Sequence, residues 1–480
     1  MFDQPRFSAW SVPTLVAGIA WVSTAVSAAG PASIPLGVLG TILVASGVMQ
    51  LLAPGDHRIT QLGAFAGLAG ALVALPSMFA VGVAPGLALL LTALFGAWGA
   101  GRMAIQVEPH VEGVPQPGKS VPTAAKVAVD EAILGFEALS GTGSIPTDGT
   151  LDRVIDELDG AHAFFAREGF LEKPETYHVT PPDLLDPDVR VEEIAGHRVE
   201  VLRFDSGYAP PEGEPGRDRW LGHAPCREGW AYVLRHEGPP RPWLIATNGY
   251  RMGHARIDVP FFARFFKDHG RPGSPGAAGL GLNVLIPVLP LHGPRRIHWH
   301  SGQGFLGVEV LDTIHAETQG LWDMRRLLSW VRAQGAPAIG AFGLSLGGLT
   351  TANFASLATG LSAAVPGIPL LSIERILRRH APAAQLAWAM DQGFDFERAA
   401  DLLRVITPTS LTPQVRKENR FLFGATGDRL VTPDHVRDLW RHWDEPEIVW
   451  YDGSHISFAR EKAVWEGVDR TLRESGLAAG

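Results

Sequence analysis

The sequence contains little cysteine and no excess of positive charge. Cys226 is the one cysteine among 480 residues, which excludes an internal disulfide framework and a cysteine-based metal cluster. Lys and Arg total 41 against 50 Asp and Glu, so the formal net charge is −9. Because nucleic-acid-binding surfaces carry a basic excess, this balance predicts that the protein has no nucleic-acid partner.

Charged residues of either sign are scarce in the first 105 residues. That segment holds five of them: Asp3, Arg6, Asp56, Arg58 and Arg102. The other 375 residues hold 86, a fraction of about 23%, which is ordinary for a soluble domain. The composition therefore predicts an apolar N-terminal segment joined to a globular C-terminal one.

The apolar segment is long enough for four membrane spans. No charged residue lies between residues 7 and 55 or between residues 59 and 101, and about 20 apolar residues cross the hydrocarbon core of a bilayer. We predict four transmembrane helices, near 9–29, 34–53, 59–78 and 84–103. The Ala64-x-x-Gly67-x-x-Gly70 pattern in the third predicts a helix–helix contact, because small residues let helix backbones approach closely in lipid.

Two other interpretations of this segment fit the sequence less well. A soluble helical bundle would need polar helix faces, which these stretches lack. A cleaved signal peptide ending near residues 25–29 is an alternative for the first span, since Ala and Ser cluster there. Asp3 and Arg6 give that span no net positive start, however, and three further spans follow it.

The arginines beside the spans predict the orientation of the chain. With four spans, Arg6, Arg58 and Arg102 lie on the same side of the bilayer, and the opposite loops carry no charge. The positive-inside rule places that side in the cytoplasm. We therefore expect an integral membrane protein of the cell inner or plasma membrane whose large C-terminal domain faces the cytoplasm. No ionisable residue lies inside a span, so the segment, 1–105, is interpreted as an anchor and not as a transport path.

The remainder of the chain divides into a prelude and a large α/β domain. Residues 106–195 contain a proline-bearing linker and two helical patterns, at 124–139 and 151–170, that form either a small cap or a collar beside the membrane. Apolar strands alternate with amphipathic helices over 196–480, which predicts a mostly parallel sheet covered by helices. Residues 373–408 lie between two of its strands and are either a lid over an acyl pocket or a plain helical excursion.

A six-residue motif carries the strongest chemical signal. Gly343-Leu344-Ser345-Leu346-Gly347-Gly348 matches the G-x-S-x-G pattern and lies between a predicted strand and a predicted helix. A sharp strand-to-helix turn needs very small residues two positions before and after the serine so that the chain can pass. The turn raises the Ser345 hydroxyl clear of the sheet, which predicts that Ser345 is a nucleophile.

A serine hydroxyl needs a base to react at neutral pH. His455 follows the last predicted strand, and Asp428 follows the strand before it. In that arrangement His455 would accept the proton of Ser345, and Asp428 would orient the imidazole and stabilise its charged form. Asp452, three residues before His455, is the competing carboxylate. The predicted catalytic set is Ser345, Asp428 and His455.

The sequence also predicts an oxyanion hole and residues that contact the substrate. One backbone donor should be Leu346, directly after the nucleophile, and the other should come from the loop after the strand that ends near residue 247. Tyr250 is the favoured second donor, with Gly249 and Arg251 left open. Asn248 and Arg251 of the same loop are predicted to contact the substrate.

A second loop on the predicted sheet contributes polar groups. His292 follows the strand at 282–289 and is predicted to contact the substrate. Arg295 and Arg296 either bind an acidic head group or pair with the acidic residues of this domain. His298 and His300 lack a third ligand, so no metal site is predicted. We expect neither a metal nor a cofactor.

At residues 343–348, Asp428 and His455 the chain resembles the α/β-hydrolase superfamily, of the serine hydrolase and esterase type, over roughly 195–475. The chain order Ser…Asp…His is the order of that superfamily. The resemblance implies an eight-stranded, mostly parallel sheet and an acyl-enzyme formed on the serine. The four-helix transmembrane module lies outside the matched region.

Taken together, these patterns predict a membrane-anchored serine hydrolase. Its expected substrate is a small-molecule carboxylic ester or a lipid acyl ester, and the bilayer is the other expected partner. Two alternatives stay open: a catalytically inactive scaffold or sensor with the same fold, and a peptidase or acyltransferase that uses the same three residues. The sequence indicates no particular oligomeric state.

Overall fold

The computed structural model describes residues 8–28, 30–53, 57–140, 145, 149–267 and 279–478. The chain forms two compact units. The N-terminal unit consists of Met1–Thr142, Ala425–Asp434 and Trp450–Ala459, and the sheet unit consists of Gly143–Gly424, His435–Val449 and Arg460–Gly480. The predicted prelude, 106–195, is therefore shared between the two units. Asp3, Arg6 and Asp56, used above for composition and orientation, lie outside the described residues.

The described residues of the N-terminal unit form five helices. They are α1 (Ser11–Ser27), α2 (Ser33–Leu52), α3 (His57–Val81), α4 (Val83–Val107) and α5 (Val121–Leu139). By length and composition α2, α3 and α4 are able to cross a membrane, whereas α1, with 17 residues, is shorter. The predicted apolar helical module is confirmed, with three long helices and one short one in place of four equal spans. Helix α5 begins with a capped turn, because the Ser120 side chain accepts a hydrogen bond from the Thr123 backbone N–H at 3.2 Å.

Glycines allow α1–α4 to pack closely, and large apolar side chains cover their outer surface. A Cβ placed on Gly40 would lie 2.8 Å from the backbone nitrogen of Val22, and one on Gly67 would lie 2.9 Å from the carbonyl oxygen of Ala93. The predicted contact at Gly67 is confirmed. Leu72 and Phe79 are 73% and 96% exposed, so the described residues of the unit leave these apolar side chains uncovered. Large exposed apolar surfaces of this kind are typical of interaction sites with membranes or other proteins.

A nine-stranded sheet is the frame of the second unit. Its strands are β1 (Asp188–Ile194), β2 (His197–Asp205), β3 (Glu228–Leu234), β4 (Trp243–Thr247), β5 (Asn283–Val288), β6 (Ile339–Leu344), β7 (Ala363–Gly367), β8 (Phe421–Ala425) and β9 (Glu447–Tyr451). They are arranged in the order β1-β2-β3-β5-β4-β6-β7-β8-β9. The pairs from β5 through β4, β6 and β7 to β8 are parallel, and the pairs from β1 through β2 and β3 to β5 are antiparallel. The predicted mostly parallel α/β sheet is confirmed.

The predicted number of eight strands is wrong by one. The additional strand, β1, lies at the edge of the sheet and pairs only with β2 among the described strands. Six of its seven residues are exposed, and its sequence is rich in charge. An edge strand with no buried face lacks the apolar pattern by which strands are recognised, and its charges protect the open edge.

Helices cover the sheet and fill the connections between strands. They are α6 (Thr150–Glu168), α7 (Arg217–Gly222), α8 (Ala255–Phe266), α9 (Val310–Ala333), α10 (Leu346–Leu357), α11 (Ile373–His380), α12 (Ala383–Asp391), α13 (Phe396–Leu403), α14 (Pro433–His442) and α15 (Lys462–Glu474). The segment between β7 and β8 that was predicted as a lid contains α11, α12 and α13. Only Ala389 of α12 is buried, so this helix lies largely exposed; whether the segment acts as a lid stays a prediction.

Candidate active site

Ser345 lies at a sharp turn between β6 and α10. Its backbone has φ 57° and ψ −115°, a left-handed conformation that a non-glycine residue rarely adopts. The Ser345 N–H donates to the Gly367 carbonyl at 3.0 Å, and its own carbonyl accepts from Leu370 at 3.1 Å. Gly367 is the last residue of β7 and Leu370 lies three residues after it, so the end of the neighbouring strand and the chain that follows it hold the strained turn in place.

The glycines of the motif are required by close backbone contacts. A Cβ on Gly347 would overlap the carbonyl oxygens of Thr247 and Asn248, and a Cβ on Gly343 would overlap Gly347. The predicted steric reason for the G-x-S-x-G pattern is therefore what the structure shows. Helix α10 begins at Leu346, directly after Ser345, and the Gly348 and Leu349 N–H groups donate to the Ser345 carbonyl at 2.9 Å and 3.1 Å, so the positive end of the helix lies at this serine.

Backbone strain is concentrated at the carboxyl ends of the parallel strands. Among the described non-glycine residues, four with positive φ follow β4, β5, β6 and β7 in turn: Arg251 (71°), Leu291 (63°), Ser345 (57°) and Ile368 (41°). Each such residue costs on the order of 1–3 kcal/mol, and they cluster at functional sites in proteins generally. More than half of the described non-glycine residues with positive φ therefore lie at this edge of the sheet.

The loop after β4 lies against Ser345. A Cβ placed on Gly249 would be 3.7 Å from the Cβ of Ser345 and 3.3 Å from the Leu344 carbonyl oxygen. The loop is held by Asp258 of α8, whose carboxylate accepts from the Asn248 side chain at 2.8 Å and from the Gly253 N–H at 3.0 Å. Asn248 thus holds the loop in position, and the structure places the loop predicted to supply an oxyanion donor beside Ser345.

Asp428 and His455 form a buried, directly hydrogen-bonded pair in the N-terminal unit. The His455 Nδ1–H donates to Asp428 Oδ2 at 2.6 Å. The other oxygen of Asp428 accepts from the backbone N–H groups of Leu430 at 3.0 Å and Val431 at 2.8 Å. These contacts fix the carboxylate, and the proton on Nδ1 leaves the Nε2 lone pair of the neutral His455 ring unprotonated.

The electrostatic surroundings favour the charged form of His455. Burial lowers its pKa, but the negative charge of Asp428, the hydrogen bond to Asp428 and the negative charge of Asp130 together outweigh burial, so the pKa is raised above 6.5. The positively charged form of the His455 imidazole is therefore more stable here than that of a free histidine in water.

The two carboxylates considered from the sequence are now distinguished by their partners. Asp452 accepts hydrogen bonds from the Gly118 N–H at 2.8 Å and the Thr123 hydroxyl at 2.6 Å. Its carboxylate therefore binds the start of α5 and the segment before it, and not the His455 imidazole. Ser345 belongs to the sheet unit and Asp428 and His455 to the N-terminal unit. The catalytic role of these three residues stays a prediction.

His292 and Arg295 belong to the loop after β5, and both are fully buried. The His292 Nδ1–H donates to the Pro290 carbonyl at 2.9 Å, and burial lowers the pKa of the ring to about 4, so the ring is neutral. Arg295 pairs with Asp323 at 2.9 Å and donates to two backbone carbonyls. Of the two interpretations of the arginines, pairing with an acidic residue is correct for Arg295. Within the described ranges, no three His, Cys, Asp or Glu side chains are placed to hold a metal ion.

Sequence reasoning missed two buried acidic residues beside the Asp428–His455 pair. Asp130 and Glu131 lie on α5, and neither is exposed to solvent. In the sequence they are part of an ordinary helical pattern that contains other acidic residues, and such residues usually lie on solvated faces. Only the fold shows that both are turned into the protein.

The fold and the turn at Ser345 define the class of this protein. A mostly parallel sheet in which a strained serine follows a central strand and precedes a helix is the α/β-hydrolase fold. The chain has this fold, preceded by an apolar helical module.

Comparison with known proteins gives relatives of uncharacterized function. No family model matches the chain. The uncharacterized protein Rv2627c of Mycobacterium tuberculosis (strain ATCC 25618 / H37Rv) is 38% identical over 362 residues, which are 75% of this chain and 84% of that protein. The uncharacterized protein MT2702 of strain CDC 1551 / Oshkosh matches with the same identity and coverage. The chain belongs to the family of these mycobacterial proteins.

Solved structures that are similar to the chain include two bacterial esterases. Acetyl xylan esterase from Paenibacillus sp. R4 has a TM-score of 0.44 and 17% identity, and the match covers 68% of this chain and 99% of that one. Acetyl xylan esterase 1 from Thermoanaerobacterium sp. JW/SL YS485 has a TM-score of 0.41 and 16% identity, with 63% and 98% of the two chains covered.

Proposed function

We propose that the protein is a serine hydrolase that cleaves carboxylic esters through an acyl-enzyme. Ser345 is the nucleophile, His455 the general base and Asp428 the residue that orients the base. The observation that carries the proposal is the hydrogen bond of 2.6 Å from His455 Nδ1 to Asp428, which leaves Nε2 as the basic nitrogen. The strained turn at Ser345 supports it, because such strain is retained where function requires it.

The proposed reaction has two proton-balanced steps. His455 Nε2 accepts the proton of the Ser345 hydroxyl as the serine oxygen attacks the ester carbonyl carbon. His455 then gives that proton to the departing alcohol, and an acyl group stays on Ser345. In the second step water attacks the acyl carbon, His455 accepts a proton from it and returns the proton to Ser345, and the carboxylic acid leaves.

The proposed oxyanion hole is made of backbone donors. The Leu346 N–H, at the start of α10, is one donor, and the loop after β4 supplies the other from Tyr250 or Gly249. The contact of Gly249 with Ser345 supports this loop as the source. A negative charge that develops on the carbonyl oxygen would also face the positive end of the α10 dipole.

Three side chains are proposed to contact the substrate: Asn248, Arg251 and His292. His292 is the side chain best able to bind a ligand, because the ring is neutral and its Nε2 has no hydrogen-bond partner among the described residues. Such a nitrogen accepts a hydrogen bond from a donor on a ligand. Arg251 brings a cation that stacks 4.9 Å from the centre of the Tyr250 ring.

We propose that α1–α4 anchor the enzyme in the inner or plasma membrane with the catalytic domain in the cytoplasm. The length and apolar composition of α2, α3 and α4 support a membrane location, and the arginine pattern supports the orientation. An enzyme held at a bilayer encounters lipid and acylated molecules at a raised local concentration. A lipid acyl ester is therefore the favoured substrate class.

The proposal is tested by measuring hydrolysis of an acyl-ester panel with full-length protein in detergent. The panel should include short soluble nitrophenyl esters and long-chain glycerolipids, and Ser345→Ala and His455→Ala are the matched variants. Ester turnover by the native chain that both variants lose supports the serine hydrolase. A native chain that turns over none of the esters, with both variants folded, supports the scaffold or sensor instead.

The membrane location is tested separately by fractionation. The full chain should stay in the membrane pellet after alkaline carbonate extraction and should be released by detergent. A C-terminal reporter that is active only in the cytoplasm checks the orientation. Extraction by carbonate alone would contradict anchoring by α1–α4.

A further inference from the structure

Asp130, on α5, joins the two loops that carry the Asp428–His455 pair. One carboxylate oxygen, Oδ2, accepts hydrogen bonds from the His455 N–H at 2.8 Å and from the Arg429 N–H at 3.1 Å. His455 follows β9, and Arg429 is the direct neighbour of Asp428 after β8. A single oxygen therefore sets the spacing between the loop that carries the base and the loop that carries the acid.

Glu131 makes a second connection from the same helix. Its Oε1 accepts from the Arg429 side chain at 2.6 Å, and its Oε2 accepts from the Thr60 hydroxyl at 2.6 Å. Arg429 also forms an ion pair with Glu108, directly after α4. Thr60 lies near the start of α3. These contacts link the loop after β8 to the ends of two apolar helices.

Helix α5 is itself fixed to α3 and α4 by close backbone contacts. A Cβ on Gly101 would overlap the carbonyl oxygen of Ala124, and one on Gly135 would lie 2.5 Å from the carbonyl oxygen of Gln61. Neither position has space for a side chain. The carboxylates of α5 are thus held by the apolar helices and not by a flexible tether.

We propose that Asp130 and Glu131 are positioning residues for the acid and base of the reaction, so that the N-terminal helical module is a required part of the catalytic apparatus. This inference rests on the serine hydrolase proposed above and assigns a second role to the module beyond anchoring. The hydrogen bonds to His455, Arg429 and Thr60 carry it. Neither carboxylate touches the reacting atoms, so neither is a catalytic residue.

The charge of Asp130 should affect the pKa of His455, an effect that a purely packing role of Asp130 would not produce. The charged and titratable groups around Asp130 are Glu131 on its own helix, Asp428 and Arg429 after β8, and His455 after β9. Burial and the charge of Asp428 raise the pKa of Asp130, while His455 and the two backbone hydrogen bonds lower it, with a result of about 7. The negative charge of Asp130 in turn raises the pKa of His455. Removing that charge should therefore lower the pKa of the base.

The test compares Asp130→Asn, Asp130→Ala and Asp152→Asn in full-length protein, with an ester that the native chain hydrolyses. Asn keeps an oxygen that accepts both backbone hydrogen bonds but loses the charge, Ala loses both, and Asp152 is an exposed carboxylate in the first turn of α6. For Asp130→Ala we expect kcat to fall about 10- to 100-fold with KM changed less than threefold, as is typical when a residue that orients a catalytic group is removed. For Asp130→Asn we expect a smaller loss and a shift of the pH–rate midpoint to lower pH. Asp152→Asn should match the native chain.

Hydrogen exchange gives a second readout that does not depend on turnover. Peptides that cover 426–434 and 452–459 should exchange faster in Asp130→Ala than in Asp130→Asn, because only Ala removes the shared acceptor. If the native chain is active but both Asp130 variants keep its kcat, pH profile and exchange rates, the positioning role is wrong and the serine hydrolase stands. If the native chain has no esterase activity that depends on Ser345, the proposed function fails and this role fails with it. Should Asp130→Ala not fold, Asp130→Asn and its pH profile decide the question.

Discussion

The His455 Nδ1–H donates to Asp428 Oδ2 at 2.6 Å, and both side chains are almost fully buried. The pair is held from two sides, because backbone N–H groups bind the other Asp428 oxygen and Asp130 binds the His455 N–H. An imidazole that is fixed in orientation and tautomer in this way keeps its Nε2 lone pair free of a proton, as the proposed base requires. If the pair acts in catalysis, variants at Asp428 and His455 should change the rate of ester hydrolysis and its pH dependence more than variants at neighbouring residues do.

Replacing Asp428 should affect catalysis far more than replacing the neighbouring carboxylate. In Asp428→Asn the amide oxygen takes the two backbone hydrogen bonds and the NH2 group, a donor, faces His455, so the tautomer with a proton on Nδ1 loses its acceptor and we expect kcat to fall by a factor on the order of 10⁴. Asp452 binds Gly118 and Thr123 and not the imidazole, so Asp452→Asn should cost less than about tenfold. Ester hydrolysis by both variants checks the difference. Equal losses in the two would show that the pair has no special role.

The rate should depend on pH through a base with a raised pKa. His455 accepts a proton only in its neutral form, so kcat/KM should rise as the pH increases through its pKa. Asp428 and Asp130 raise that pKa, and the midpoint should lie above pH 6.5. A profile of kcat/KM between pH 5 and 9 with a soluble ester measures it. A midpoint below pH 6.5 would contradict the assignment of His455 as the base in this environment.

The turn at Ser345 should not tolerate a methyl group at Gly347. A Cβ there would overlap the carbonyl oxygens of Thr247 and Asn248. Gly347→Ala should therefore destabilise the protein by about 1–3 kcal/mol or more and reduce activity. Gly222→Ala is the matched control, because a Cβ at Gly222 meets no atom within 4 Å. It should change stability by no more than about 0.5 kcal/mol. Thermal unfolding and ester hydrolysis are the measurements, and equal behaviour of the two variants would contradict the steric account.

The apolar helices should be sensitive to added volume at Gly67 and insensitive on their outer face. Gly67→Val places atoms within about 3 Å of the α4 backbone, at Ala93 and Ala97, and should destabilise the module by about 1–3 kcal/mol. Leu72→Val, on the exposed face of the same helix, should have little effect. The unfolding temperature in detergent compares them. A loss of stability in Leu72→Val that equals the loss in Gly67→Val would show that the contact at Gly67 is unimportant.

Much of the architecture could be predicted from the sequence because its signals are local. The G-x-S-x-G motif between a strand and a helix indicated the turn at Ser345, and the long uncharged stretches indicated the apolar helices. The carboxylate paired with His455 was also predicted as Asp428, since a residue after the preceding strand can reach a loop at the same sheet edge. Each of these inferences uses residues within one or two neighbouring elements.

The remaining features depend on contacts that no local pattern encodes. Strand β1 was missed because its exposed, charged residues have no buried face. Asp130 and Glu131 were missed because their partners are distant; Asp130 and His455 are 325 residues apart in the sequence. For the same reason the sequence did not show that the loops after β8 and β9 belong to the N-terminal unit. Buried carboxylates on an ordinary amphipathic helix become visible only in the folded chain.

The most direct test of the central claim is to locate the nucleophile by mass spectrometry. Full-length protein, Ser345→Ala and His455→Ala are treated with a fluorophosphonate, digested and mapped by tandem mass spectrometry. The account predicts an adduct on Ser345 of the native chain, none on the Ser345→Ala variant and at most slow labelling of His455→Ala. A native chain that stays unlabelled, or an adduct that persists in Ser345→Ala, would contradict it.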